Sequence, residues 1–199
     1  ADGAEVVGLS RSTDGLDLTV EASVARIIGA QDGQFDLVMV ATGALEMGAF
    51  RPEKALRQVS ADYLAAQFAL NAMGPLLVLK HVVRLMPRVG PSRFAALSAR
   101  VGSISDNGLG GWYGYRAAKA ALNQLIHTAA IEVARSHPEA VVVTLHPGTV
   151  DTSLTARYRG DHAAMPPAEA AANMVQVLAG LTAAQSGGFY DWQGQVIPW

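Results

Sequence analysis

The chain of 199 residues contains no cysteine, so neither disulfide cross-links nor thiolate chemistry is open to it. That absence fits a reducing, cytoplasmic setting. Lysine is scarce: Lys54, Lys80 and Lys119 are the only ones, and arginine carries the rest of the positive charge. A lysine at any given place is therefore informative. With 16% charged residues and a formal net charge of -2, the sequence lacks the basic footprint of a nucleic-acid binder and any polybasic membrane anchor. No uninterrupted apolar run approaches the roughly 18 residues at which a membrane span is read, and none is expected. The opening "ADGAEVVGLS" has no charged start ahead of a long apolar run, so it does not read as a secretory signal. The histidines show no His-Glu-x-x-His spacing, and no metal site is expected. A Gly-x-Ser-x-Gly elbow is also missing, which argues against a Ser-His-Asp hydrolase. There is no internal repeat, low-complexity tract or linker. Residues 1–199 read as one domain, large enough to bury a sizeable core.

Half of the sequence is apolar. Three continuous apolar runs read as buried parallel strands: "AEVVGLS" (4–10), "FDLVMVATG" (35–43) and "AVVVTLHPG" (140–148). "RFAALSA" (93–99) is a fourth, although alanine is a poor strand former. Continuous rather than alternating hydrophobicity is what a strand covered on both faces requires. Helical patterns fill the intervals 20–28, 61–85, 113–136 and 168–181. Strand alternating with helix predicts an α/β fold, a doubly wound parallel sheet with helices on both faces. In such sheets ligands sit outside the carboxyl ends of the strands. The strand ends read "SRS", "ATGA", "SARVGS" and "HPGTVDT", all small, polar or glycine-containing.

One pair stands out in "GGWYGYRAAKAALN". Tyr115 and Lys119 are four residues apart, so on a helix their Cβ atoms lie about 5–6 Å apart on one face. An ammonium at that distance favours the phenolate and lowers the tyrosine pKa. A tyrosine tuned in this way gives a proton to a carbonyl oxygen, or takes one from an alcohol, near neutral pH. Tyr113 has Ala117 at the same spacing and cannot be tuned so. The competing explanation is the start of an amphipathic helix with aromatic packing, and context must separate the two.

The context resembles the short-chain dehydrogenase/reductase family over essentially the whole chain. "YGYRAAKAALN" resembles that family's Tyr-x-x-x-Lys helix, and "FALNAMGPLLVLK" the segment of its active-site asparagine, here Asn71. "LHPGTVDT" resembles its Pro-Gly cofactor loop. With "SARVGSISDNGLGGWYGYR" and "GGFYDWQGQVIPW", the pattern is most similar to the carbonyl-reductase-like branch. The resemblance implies a Rossmann-like fold and interconversion of a small carbonyl compound and its alcohol with NAD(P)H. Tyr115 would be the acid/base. Lys119 would tune it and bond the nicotinamide ribose, and Asn71, at a helix irregularity, would hold a water of a proton relay. The family's substrate-bonding serine falls on Ala99, which leaves Ser98 or Ser103 to take that role. Ser10 and Arg11 would meet the adenosine ribose. An arginine there suits a 2′-phosphate, so NADP(H) is favoured over NAD(H). Asp17 and Leu18 would flank the adenine. Ala41, Thr42 and Gly43 would line the cofactor, as would Pro147, Gly148, Val150 and Thr152. Residues 153–165 would form a substrate lid with Leu154, Tyr158 and Met165. The resemblance also implies a homodimer or homotetramer built on the two long helices.

The start of the chain departs from the family. A strand, a Gly-x-x-x-Gly-x-Gly turn and a helix whose backbone N–H groups hold the pyrophosphate are expected there. The run 4–10 instead resembles the family's second strand, so a central strand is missing between it and 35–43. Both would then expose unpaired edges. Two readings follow: an N-terminally truncated reductase, or a binding or regulatory module that no longer holds the dinucleotide.

Overall fold

The computed structural model describes residues 3–158 and 163–199. Four strands form one parallel sheet in the spatial order β1 (Leu37–Val40), β2 (Ser92–Leu97), β3 (Ala140–His146), β4 (Phe189–Asp191). Each pair of neighbours is joined by helical crossovers, as parallel strands require. The helices are α1 (Arg11–Asp14), α2 (Glu21–Gly29), α3 (Ala61–Phe68), α4 (Gly74–Val82), α5 (Tyr113–Val133) and α6 (Pro167–Gly180).

Successive side chains on a strand point to opposite faces, and both faces here are apolar. Phe94, Ala96 and Val142 join Leu122 and Ile126 of α5, Val78 and Val82 of α4, and Val24 and Ile28 of α2. On the other face Ala95, Val141, Val143 and Leu145 meet Met174 and Leu178 of α6. Double coverage explains why the alanine-rich run 93–99 still forms a strand. Ala95 and Ala96 are fully buried between two paired neighbours, and tertiary packing overrides a weak intrinsic preference.

The expected helix over 61–85 is interrupted. A π-helical turn, Ala69–Met73, separates α3 from α4, and the Gly74 N–H bonds the Ala69 carbonyl five residues back. Pro75 has no N–H to offer the regular ladder, so the wider turn falls where that ladder must break. Gly74 lets this helix touch the chain beside it, since a Cβ there would lie 2.8 Å from Leu18 Cβ. By length and composition Ala61–Leu85 is apolar enough to cross a membrane. In this fold its buried residues meet α2, α5 and the sheet instead.

The run 4–10 does not form the predicted strand. It has no ladder partner among the described residues, and Val6 and Val7 are 74% and 48% exposed. A strand exists only through a neighbour, and this run has none. Between it and the outer edge of β1 lies a cleft of about 480 Å³, walled by Val7, Leu9, Leu37 and Val38 and floored by Val78 and Val82. The cleft stands where the resemblance calls for one more strand. The three-residue β4 is an element that the apolar runs do not announce.

Because Leu122 is fully buried against the sheet, Leu122→Ala is expected to lower the unfolding free energy by about 2–5 kcal/mol. Leu109→Ala, at a side chain 95% exposed, should change it by less than about 0.5 kcal/mol. Urea titrations of both variants check this, and equal midpoints would contradict the packing of α5 on the sheet.

Candidate active site

The first two turns of α5 meet the ends of β1 and β2, and here the predicted catalytic residues gather. Lys119 Nζ lies 5.7 Å from the centre of the Tyr115 ring and donates to the Leu97 carbonyl at 2.8 Å. The turn after β2, Arg100–Gly102, presses on the same helix. A Cβ on Gly102 would come within 2.8 Å of Lys119 Cβ and 2.9 Å of its carbonyl carbon, so only glycine allows this approach.

Asn71 sits within the π-turn, fully buried, as the resemblance implied for a helix irregularity. Its Nδ2 donates to the Ala44 carbonyl at 2.9 Å and to Gln67 Oε1 at 2.7 Å, while its Oδ1 accepts from the Ala44 N–H at 3.3 Å. Gln67 and Tyr63 both donate to the Leu45 carbonyl. A continuous hydrogen-bonded row, Tyr63–Gln67–Asn71, therefore holds the loop after β1. Gly43 lies against its end: a Cβ there would be 2.9 Å from Asn71 Oδ1 and 3.4 Å from Lys119 Nζ. Bare backbone, an amide and an ammonium with donors to spare form a polar cradle of the kind a ribose hydroxyl fits.

Electrostatics differ from the sequence expectation. Burial pushes the Tyr115 hydroxyl up to about 12, with the neighbouring Tyr63 adding to the rise. The same burial pulls Lys119 down to about 7. An ammonium that is itself losing its charge does little for a phenolate, so desolvation outweighs the attraction between the pair. Tyr115 is consequently a protonated donor at neutral pH. His146, at the end of β3, is held neutral near 4 by burial and by the Arg100 charge, with Asp191 opposing.

The two serines differ in their surroundings. Ser98 Oγ is buried and has no hydrogen-bond partner among the described residues. Ser103 Oγ accepts from the Asp106 N–H at 3.2 Å and lies 3.4 Å from Ser105 Oγ. Ser103 therefore shapes the loop, while Ser98 is uncommitted.

The candidate cofactor residues fall into three groups. Ser10, Arg11, Leu18, Ala41 and Thr42 line the cleft beside β1 together. Ser10 caps α1 and its N–H donates to Asp14 at 2.7 Å, leaving the Arg11 side chain exposed. Leu18 is 4% exposed and also packs on α4, and the Asp17 carboxylate is held by the N–H and hydroxyl of Thr19. Gly43 faces a second cleft, of about 560 Å³, shared with Ala44, Ser153, Leu154 and Tyr158. Pro147, Gly148, Val150 and Thr152 follow β3 but line neither cleft. Gly148 (φ 79°) is pressed onto Trp192, whose ring a Cβ would meet at 2.9 Å. Val150 bridges to Met165, and residues 159–162 of the expected lid lie outside the described residues.

Several neighbours of the site were not legible in advance. Trp112, the one non-glycine residue with positive φ (53°) among the described residues, sets its ring edge-on to Tyr115 and to Tyr158. Glu46 accepts from Tyr158 at 2.6 Å and from Arg157 at 2.9 Å. Gln67 alone had a signal, its spacing of four from Asn71.

The sequence model described as enoyl-(acyl carrier protein) reductase matches residues 10–184. C-signal of Myxococcus xanthus is 36% identical over 146 residues, 73% of this chain and 84% of that protein. The 1-hydroxy-2-glutathionyl-2-methyl-3-butene dehydrogenase of Rhodococcus sp. (strain AD45) is 30% identical over 206 residues, covering 100% of this chain and 85% of that one. Among solved structures, a short-chain dehydrogenase/reductase from Burkholderia multivorans with bound NADP superposes with a TM-score of 0.76 at 28% identity, over 92% of this chain and 75% of that one. Carbonyl reductase Sniffer of D. melanogaster, at 22% identity and a TM-score of 0.79 over 92% and 76%, shares the fold. On the extent of these matches and the motifs that carry them, the chain belongs to the short-chain dehydrogenase/reductase family of oxidoreductases.

Proposed function

We propose that the protein is an NADP(H)-dependent oxidoreductase that interconverts a small carbonyl compound and its alcohol, with Tyr115 as the acid/base. The observation that carries this reading is the convergence of Lys119 and Asn71 on the bare backbone of Gly43, with the Tyr115 ring centre 5.7 Å from Lys119 Nζ. Gly43, Asn71 and Lys119 would hold the nicotinamide ribose, with Pro147, Gly148, Val150 and Thr152 beyond it. Ser10 and Arg11 would hold the adenosine ribose, the exposed guanidinium favouring a 2′-phosphate. The NADP bound to the Burkholderia multivorans relative supports the same choice. When bound, the nicotinamide supplies a hydride to the carbonyl carbon.

Tyr115 gives its hydroxyl proton to the carbonyl oxygen, so C=O becomes CH–OH. Its high pKa keeps that proton in place at neutral pH, ready for an oxygen that becomes basic as reduction proceeds. Lys119, poised near 7, is suited to pass a proton on to the tyrosinate. The row Asn71–Gln67–Tyr63 keeps the loop after β1 from shifting away from Tyr115. Ser98, without an internal partner, is assigned to bond the substrate oxygen in preference to Ser103. Leu154 and Tyr158 would close over the substrate from the far side of the second cleft.

One observation favours the second reading, a dinucleotide-free binding module: the run 4–10, which ends in Ser10, has no ladder partner among the described residues. Titration with NADPH separates the two, because tight binding by this chain defeats the module.

Tyr115→Phe is expected to reduce carbonyl turnover by about 10²–10⁴-fold while leaving the NADPH dissociation constant within about twofold. Steady-state kinetics and fluorescence titration check it, and unchanged turnover would sink the assignment. Lys119 has a folded-state pKa of about 7 against an ordinary value of 10.5, so the unfolded chain binds more protons between those values. The sign follows: stability rises with pH across that window. Lys119→Met should flatten this rise in denaturation midpoints measured from pH 6.5 to 10; an equally steep slope in the variant would assign the effect elsewhere.

A further inference from the structure

Glu53 belongs to none of the motifs that identify the site, yet it touches the helix that carries Tyr115. It is 2% exposed and forms no ion pair among the described residues. A buried carboxylate without a cation is costly unless hydrogen bonds stabilise its charge. Here both carboxylate oxygens accept from the Gly114 N–H at 3.2 Å, and the Glu53 carbonyl accepts from the Trp112 N–H at 2.5 Å. These are the N–H groups of the N-cap residue and the second residue of α5.

The N-cap residue of α5, Trp112, has no side-chain oxygen and caps nothing. Glu53, 61 positions from Gly114, takes over that task from another segment. The placement also sets its negative charge at the positive end of a helix 21 residues long. Gly114 makes the contact possible, because a Cβ there would lie 3.2 Å from Glu53 Oε1 and 3.3 Å from the Tyr63 ring. Tyr115 is the next residue along the chain. Its ring meets that of Trp112, which the Glu53 carbonyl holds in a left-handed conformation.

We infer that Glu53 is a positioning residue for catalysis: it caps α5 in trans and so fixes where the Tyr115 hydroxyl stands. The inference rests on the reading of Tyr115 as the acid/base. Glu53 itself touches neither Tyr115 nor the second cleft, and it acts through Trp112 and Gly114.

Glu53→Ala is expected to lower kcat, counted per NADPH-binding site, by about 10–100-fold, with KM and the NADPH dissociation constant within about threefold. Glu53→Gln keeps one acceptor for the Gly114 N–H and should recover kcat to within about threefold of the parent. A purely structural role would reduce the number of binding-competent molecules and leave kcat per site alone. Amide hydrogen exchange gives a readout that needs no turnover: Trp112 and Gly114 should lose protection in Glu53→Ala, while the amides from Leu122 onward keep theirs. If Glu53→Ala fails to fold, Glu53→Asp, one methylene too short to reach Gly114, is expected to show the same loss of kcat. Unchanged kcat per site, no rescue by glutamine, or unaltered exchange at Gly114 would overturn the inference. Tyr115→Phe run in parallel separates the two ideas. Retained turnover there defeats the acid/base reading, whereas the exchange at Gly114 still tests the cap.

Discussion

Close packing at the start of α5 is the constraint on which the rest of the site depends. The helix is gripped from two sides at glycines: Gly102 leaves no room for a Cβ against Lys119, and Gly114 fits tightly against Glu53 and Tyr63. One contact ties the helix to the end of β2, the other to α3. Tyr115 lies between them, so its position along and around the helix axis follows from the two grips. A side chain at Gly102 must push α5 away, because its nearest atoms include helix backbone, whereas one at Gly114 would require the buried Glu53 carboxylate or the Tyr63 ring to give by a few tenths of an ångström.

The same packing sets the electrostatics. A tyrosine and a lysine one turn apart on an exposed helix would share charge through water, and the lysine would lower the tyrosine. Here the pair is buried beneath the loops that follow β1 and β2, and desolvation acts on both groups in the direction of neutrality. The result is a tyrosine that keeps its proton beside an amine drawn down to about 7, with the hydrogen-bonded row Asn71–Gln67–Tyr63 alongside. The tuning therefore comes from the site as a whole, and the i, i+4 spacing supplies only proximity.

How much of this was legible in the sequence follows the range of the interactions involved. The runs around β1, β2 and β3, and the helices 20–28, 113–136 and 168–181, carry local patterns and were read to within a few residues. The π-turn was implied only through the resemblance, although "NAMGP" holds its local cause in Pro75. The run 4–10 misled because an apolar stretch announces a wish for neighbours, not their presence. The strand β4 was passed over because three residues carry no period. Tyr115 and Lys119 lie side by side on α5 as their spacing predicts, and Asn71 lies in the π-turn as the resemblance implies. Glu53 was not legible, since its role appears only when residues 61 positions apart meet, and nothing in "RPEK" marks a buried carboxylate. The Tyr115 pKa is raised where spacing alone predicts a lowering, for a related reason: burial cannot be counted from spacing.

The fold leaves its two clefts in unequal condition. The one shared by Gly43 and Tyr158 is braced on every side: by the asparagine row, by Trp112 edge-on to Tyr158, and by Glu46 bonded across to the segment after β3. The one beside β1 has an apolar floor and an extended run, 4–10, with no ladder partner among the described residues. Parallel sheets ordinarily hide such edges, because each free N–H and C=O on them would rather be paired. Ser10 and Arg11 hang from the end of that unpaired run, whereas Tyr115 and Lys119 stand on α5 and Asn71 on the π-turn. Local opening at the cleft beside β1 should therefore leave the placement of Tyr115 unchanged, because the packing of Gly102 and Gly114 on α5 does not involve the run 4–10.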